Sequence, residues 1–414
     1  MKKVGYVLLD GCSDRPVPSL NYSTPLEVAS TPNLDSLACR ARMGQVITVG
    51  KGISPESDIA VFNMLGYPFE KGYPGRGVVE SLGAGIKVRD GDLALRANFA
   101  TATDGKITDR RGGRNMTAKD ARALQEELQS VMLKDAEFEF RSTVGHRAVL
   151  VIRAEEPLSA EISNTDPGYA RVKGFGAARE AKDVEAIISS KPLRNWPSSK
   201  RAADLVNSFS SQARRILDDA TVNKQRAKDG KKAANLVLFR DAGSHVPKLE
   251  SFEEKHDCKG VALVEMPAEV GIAMLLGMRM VNAGDPADLA GKAKLLKREM
   301  KDDTVVYAHI KGPDEFGHDG DAIGKRRNIE SIDREFFSEV AEIPQEEATL
   351  AVSCDHATPC VLKMHSADPV PLLITTKKRK GGVASCRFTE RHAADGSLGT
   401  LAGKVVLRKV LSSA

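Results

Sequence analysis

The chain has 414 residues, long enough for two domains that each bury a core, and 41% apolar with 28% charged residues is the balance of a globular protein, not a disordered or fibrous one. Its net charge of +5, from 61 basic and 56 acidic side chains, is too small an excess to argue for nucleic acid, though it suits a small anionic substrate. No run of apolar residues reaches the roughly 18 needed for a transmembrane helix, so no membrane is expected as a partner.

The first predicted element is a strand over residues 4–9, ending at Asp10-Gly11. A signal peptide is a poor reading of this start, because the apolar stretch is short and runs into an acid; a cytoplasmic location is expected. Residues 59–65 read as a short helix closing at Gly66, with Ser57 at its N-terminus. There Ser57 has two readings: it caps the helix, or it belongs to an anion site formed by free backbone N–H groups. From about residue 81 to about 248 the chain becomes rich in Arg, Lys and Ala. This block holds candidate strands at 148–152 and 236–239, an amphipathic helix with Ala202, Leu205, Val206, Phe209, Ala213, Ile216 and Leu217 on one face, and a polar stretch, 224–232, read as a loop. It is read as a domain inserted between residues 1–80 and 249–414. After it come a helix over 268–280, a strand over 304–310, a helix over 325–340, and strands over 349–353 and 370–374. The basic run Lys377-Lys378-Arg379-Lys380 reads as an exposed turn. Alternating strands and helices predict a mostly parallel α/β sheet, in which ligands sit beyond the carboxyl ends of the strands.

Several residues with useful chemistry fall at those ends. Asp10 follows the first strand, and Asp355-His356 follows a later one. Asp314 and His318 are four residues apart, so on a helical turn both reach one cation. His365 stands just before the strand at 370–374. Carboxylates mixed with imidazoles suit Mn, Zn, Co and similar divalent ions. His309 lies within a strand near these residues and is left unassigned, while His146, His245, His256 and His392 read as ordinary surface or core histidines. The six cysteines form no CxxC pair and are expected to be reduced structural thiols.

The segments Leu9-Asp10-Gly11, Thr31-Pro32-Asn33-Leu34-Asp35, Ser57-Asp58, Gly312-Pro313-Asp314-Glu315-Phe316-Gly317-His318, Asp355-His356-Ala357-Thr358-Pro359 and His365-Ser366-Ala367-Asp368-Pro369-Val370-Pro371 occur in one order. That order resembles the archaeal-type cofactor-independent phosphoglycerate mutases of the alkaline phosphatase superfamily. The resemblance implies an alkaline-phosphatase-like α/β fold with a smaller inserted α/β or α+β lid. It also implies two divalent metal ions (Mn, Co, Zn or Mg), with no 2,3-bisphosphoglycerate. One ion would be held by Asp10, Ser57, Asp355 and His356, the other by Asp314, His318 and His365. Ser57 would be the nucleophile that carries phosphoserine between 3-phosphoglycerate and 2-phosphoglycerate, a step of glycolysis and gluconeogenesis. Phe316 and Ala357 depart from the family pattern, where a smaller residue and a hydroxyl residue are expected; neither is a ligand.

Retaining glycerate needs anion-binding groups, and arginine forks provide them. Arg96, Arg110, Arg114, Arg147 and Arg240 are the candidates in the inserted block, with Lys311 beside the Asp314 motif as a further phosphate contact. Asp166 is a candidate general acid/base toward the glycerate hydroxyls. The competing readings are a metal-dependent phosphomonoesterase or other phosphotransferase of the same superfamily, and a non-catalytic metal-binding protein. The sequence leaves open whether the chain is a monomer or a homo-oligomer.

Overall fold

The computed structural model describes residues 3–172, 175–178, 185–376 and 386–414. The basic run Lys377 to Lys380 lies outside the described residues. The chain divides into two units, one of residues 1–73, 249–265 and 275–414, the other of residues 74–248 and 266–274.

The first unit is built on an eight-stranded sheet, in the order Arg279–Asn282, Lys259–Val264, Thr304–Ile310, Lys3–Leu9, Thr349–Cys354, Val370–Thr375, Ala41–Ile47 and Thr400–Ala402. Neighbours run parallel except where Val370–Thr375 opposes both of its partners. The three strands Thr304–Ile310, Thr349–Cys354 and Val370–Thr375 are buried at every residue. That is why their sequences are mainly apolar, with none of the alternation of a half-exposed strand. Lys3–Leu9 pairs in register with Thr304–Ile310 on one side and Thr349–Cys354 on the other, so Asp10, Lys311 and Asp355 emerge together at one end of the sheet.

The second unit carries an antiparallel sheet. Its long strand Leu93–Thr103 pairs with Arg147–Ala154, Lys106–Asp109 and Leu236–Gly243. The helix Pro197–Asp219 buries Ala202, Leu205, Val206, Phe209, Ala213 and Leu217 in the same core as Phe99, Phe140 and Phe239. Most of the helix Pro267–Leu275 belongs here because Gly83 and Gly271 let it meet the helix Arg76–Gly83 backbone to backbone; a Cβ on either glycine would overlap a carbonyl of the other helix.

Two local readings are corrected. The stretch read as a loop from 224 is helical through Lys228, because Asn223 and Arg226 are buried and tie the helix Thr221–Lys228 to its neighbours. The Arg226 guanidinium donates to the carbonyls of Lys232 and Gly112 and to the side chains of Asn115 and Asp120. The helix expected over 268–280 stops at Leu275, and Arg279–Asn282 instead forms a parallel edge strand on Lys259–Val264. Among the described residues no helix is long and apolar enough to cross a membrane, and no disulfide links the cysteines.

Candidate active site

Beyond the strand ends of the first unit, Asp10, Ser57, His309, Asp355 and His356 converge. His356 Nε2 lies 3.0 Å from Ser57 Oγ, 3.3 Å from Asp355 Oδ2 and 3.6 Å from Asp10 Oδ1. The turn after the first strand permits this: Gly11 has φ +58°, and a Cβ there would lie 2.7 Å from Asp314 Oδ1. The Gly11 N–H and the His356 N–H both donate to Asp355 Oδ1 and so fix that carboxylate. Ser57 is the first residue of the helix Ser57–Met64, and its side chain does not cap it; Glu56 holds the cap position, and the Ser57 hydroxyl faces His356. The capping alternative is therefore excluded by geometry.

Asp314, His318 and His365 form a second group. His318 Nε2 is 3.5 Å from Asp314 Oδ2, His365 Nε2 is 3.4 Å from Asp314 Oδ1, and the two Nε2 atoms are 3.2 Å apart. His365 Nδ1 donates to the Pro55 carbonyl at 2.7 Å, and His318 Nδ1 donates to the Lys363 carbonyl at 3.1 Å. A carbonyl only accepts, so Nδ1 of each ring carries a proton, and Nε2 is the atom turned toward Asp314. The rings of His356 and His365 stack with centroids 3.8 Å apart, which places the two groups side by side.

The residues fit divalent cations. Asp10 Oδ1 and Asp355 Oδ2 are buried with no hydrogen-bond donor among the described residues, an arrangement that costs free energy unless positive charge is supplied. Burial opposes charge at Asp355, but His356, His309 and Lys311 outweigh it and hold the carboxyl far below its ordinary range. At Asp314 burial is likewise outweighed, by His365, His356 and His318. Burial lowers His365, yet Asp314, Glu56 and the Pro55 carbonyl raise it to about 10, so this point favours positive charge.

His309, left unassigned from sequence, stands 3.3 Å from Asp355 Oδ2 and 4.0 Å from Asp10 Oδ1. Its Nδ1 lies 2.9 Å from the Lys311 ammonium, and the ring stands with Asp10 and Asp355 as a third member of a group close enough to hold one cation. Lys311 also reaches Asp10 Oδ2 at 3.2 Å. No pattern in the sequence separates His309 from a core strand residue.

The second unit gathers its own cluster. Asp166 is fully buried and accepts from Arg110 Nε at 2.8 Å and Arg240 Nη1 at 2.9 Å. Both guanidinium groups lie over the Tyr169 ring, at 5.1 and 4.0 Å from its centroid. Glu80 binds Arg76 at 2.8 Å and Arg96 at 3.2 Å. Burial pulls Arg96 down to about 10, with repulsion from Arg240 and Arg76 adding to it. Burial, then Arg147, Arg111, Arg240 and Arg96, push His146 down to about 3. Burial also lowers Arg111, with Arg114 the next cause. Of the five arginines read from the sequence, Arg110 and Arg240 thus meet on Asp166, Arg96 meets Glu80, Arg114 repels Arg111 and Arg147 repels a protonated His146. Arg76, Arg111, His146 and Tyr169 were missed; only Arg111 carried a signal, its place between Arg110 and Arg114. Asp166 stays ionised because the two arginines outweigh its burial, so it can accept a proton but has none to give at neutral pH.

A mostly parallel α/β sheet with acid and imidazole donors gathered beyond its strand ends defines an α/β enzyme equipped for divalent cations. Residues 38–223 match the family model described as 2,3-bisphosphoglycerate-independent phosphoglycerate mutase. A protein of that name from Aeropyrum pernix is 41% identical, over 99% of each chain. Among solved structures, the cofactor-independent phosphoglycerate mutase from Thermoplasma acidophilum is 33% identical with a TM-score of 0.62, over 100% of this chain and 99% of that one. The PH0037 protein from Pyrococcus horikoshii is 28% identical with a TM-score of 0.77, over 100% and 98%. The chain belongs to the 2,3-bisphosphoglycerate-independent phosphoglycerate mutase family.

Proposed function

We propose that this enzyme interconverts 3-phosphoglycerate and 2-phosphoglycerate by passing the phosphoryl group through Ser57, without 2,3-bisphosphoglycerate. The observation that carries this is the Ser57 hydroxyl, held 3.0 Å from His356 Nε2 among carboxylates that need positive charge. Asp10, Ser57, Asp355 and His356 would hold one divalent cation, and Asp314, His318 and His365 the other. Bound there, such ions lower the pKa of a coordinated hydroxyl and stabilise charge on a phosphoryl group in transfer.

The rest falls to the chain's own residues. Ser57 Oγ gives up its proton and attacks phosphorus in line, the bond from phosphorus to the glycerate oxygen breaks, and that oxygen takes up a proton, leaving phosphoserine and glycerate. Backbone N–H groups at the start of the helix Ser57–Met64 and the Lys311 ammonium favour the anion. Glycerate then returns its other hydroxyl to phosphorus and frees Ser57. Arg96, Arg110, Arg114, Arg147 and Arg240 have the charge and fork geometry to retain the carboxylate of a small anion. Asp166, kept ionised, would accept the proton of a glycerate hydroxyl. Such a reaction belongs in glycolysis and gluconeogenesis.

The test supplies the purified chain with Mn²⁺ and 3-phosphoglycerate, with no 2,3-bisphosphoglycerate present, and measures 2-phosphoglycerate and inorganic phosphate separately. Isomer without phosphate supports the mutase. Phosphate alone would make the chain a phosphomonoesterase, and neither product would leave a metal-binding protein.

A further inference from the structure

Thr358 touches a member of each donor group. Its buried hydroxyl lies 2.6 Å from Asp314 Oδ1 and 3.1 Å from His356 Nδ1. A threonine hydroxyl has one proton to give, and a carboxylate set among imidazoles can only accept it. The proton therefore points to Asp314, and toward His356 the same oxygen presents a lone pair. His356 Nδ1 must then carry hydrogen. In the neutral ring this leaves Nε2 unprotonated, facing Ser57 Oγ, Asp355 Oδ2 and Asp10 Oδ1.

Thr358 is itself anchored. Its N–H donates to the Ser13 carbonyl at 3.1 Å, and its carbonyl accepts from Lys325 Nζ at 2.9 Å. Lys325, with no exposed surface, also holds Asp14 Oδ2 at 2.8 Å and the Ser13 carbonyl at 3.2 Å, which ties the turn after the first strand to the loop after Asp355. Gly11 and Gly317 leave the room Thr358 needs: a Cβ on Gly11 would stand 2.6 Å from Thr358 Oγ1, and one on Gly317 would stand 2.9 Å from Thr358 Cβ.

We propose that Thr358 is a positioning residue that couples the two donor groups, orienting Asp314 while holding His356 in the tautomer that offers Nε2 to a cation. The proposal rests on reading the donors as a cation centre, and the experiment keeps the two apart. Mn²⁺ is titrated by calorimetry into the full chain, its Thr358→Val variant and its Thr358→Ser variant. Partners of this kind are worth about 10- to 100-fold in metal affinity. Thr358→Val, which keeps the shape and loses the hydroxyl, should weaken Mn²⁺ by that factor, while Thr358→Ser should stay within about three-fold of the parent. If the parent chain takes up no Mn²⁺, the cation reading itself falls and this proposal falls with it. If the parent binds and Thr358→Val binds equally well, or Thr358→Ser loses as much as Thr358→Val, the role of Thr358 is overturned while the cation centre stands. Long-range ¹H–¹⁵N spectra of the parent chain give a reading independent of variant folding. A His356 ring protonated at Nδ1 is expected, and one protonated at Nε2 would refute the proposal.

Discussion

Ser57 Oγ and His356 Nε2 stand 3.0 Å apart although 299 positions of sequence separate them. The first residue of one helix and the loop after a central strand are thereby brought to one point. If Ser57 is the nucleophile, Ser57→Ala removes the atom that bonds to phosphorus and leaves three donors of its group in place. Turnover should fall on the order of 10⁴-fold or more, as with other nucleophile deletions. Mn²⁺ binding by calorimetry should stay largely intact. Substantial mutase activity in Ser57→Ala would take serine out of the mechanism.

The buried oxygens Asp10 Oδ1 and Asp355 Oδ2 lack hydrogen-bond donors among the described residues, so the cation should support the fold as well as the chemistry. Dialysis against a chelator is expected to abolish turnover, and Mn²⁺ or Co²⁺ to restore it. Binding to the folded state alone stabilises it by about 2.7 kcal/mol when the free ion is at roughly 100 times its Kd. The melting temperature should rise on adding Mn²⁺ to the chelated protein and rise much less in Asp355→Asn. An unchanged melting curve would count against a cation at these oxygens.

Glu80 gives a pH prediction for the second unit. Burial opposes its charge, but Arg96 and Arg76 outweigh it and hold the carboxyl down to about 2, from an ordinary value of 4.5. A group depressed on folding contributes stability that is complete above its unfolded value and is lost as pH falls toward the folded one. The contribution should therefore be full at pH 7 and fade from about pH 4.5 down to about 2. Glu80→Gln should be less stable than the parent by about 3 kcal/mol at neutral pH, with the gap closing in acid. A gap independent of pH would contradict the ion cluster.

Arg226 is the largest buried side chain of the helix Thr221–Lys228, and its guanidinium meets Asp120 at 2.8 Å. Arg226→Met keeps most of the volume and strands the partners, which should cost about 3 kcal/mol. The chain has one tryptophan, Trp196, in the same unit, so its fluorescence during urea unfolding reads this effect. A shift under about 0.5 kcal/mol, the scale of surface substitutions, would mean the network is not structural.

Four strands of the first unit, Lys3–Leu9, Thr304–Ile310, Thr349–Cys354 and Val370–Thr375, were legible because they are buried on both faces and appear as short, mainly apolar runs, while the partly exposed strands Ala41–Ile47 and Thr400–Ala402 left no such run. Asp10, Asp355 and His356 were legible because they follow strands directly, Asp314 and His318 because they are four residues apart on a helix, and Ser57 only through the resemblance. Arg226 hid a helix, because a buried arginine among lysines reads as a solvated face until its partners at Gly112, Asn115 and Asp120 are known. The strand Arg279–Asn282 was lost in a continuing apolar pattern, since only pairing with Lys259–Val264 distinguishes it from a helix end. His309, Thr358 and Lys325 act through single contacts made across the fold, and a contact of that kind leaves no spacing to read.

The central claim is that Ser57 carries the phosphoryl group. The direct measurement is acid quenching of the Mn²⁺-loaded enzyme during turnover of 3-phosphoglycerate labelled with ³²P, followed by mass spectrometry of the peptide spanning Ser57. Label on Ser57, formed as fast as 2-phosphoglycerate appears and absent in Ser57→Ala, is the predicted result. Turnover with no label on the protein, or with label on a residue other than Ser57, would contradict it.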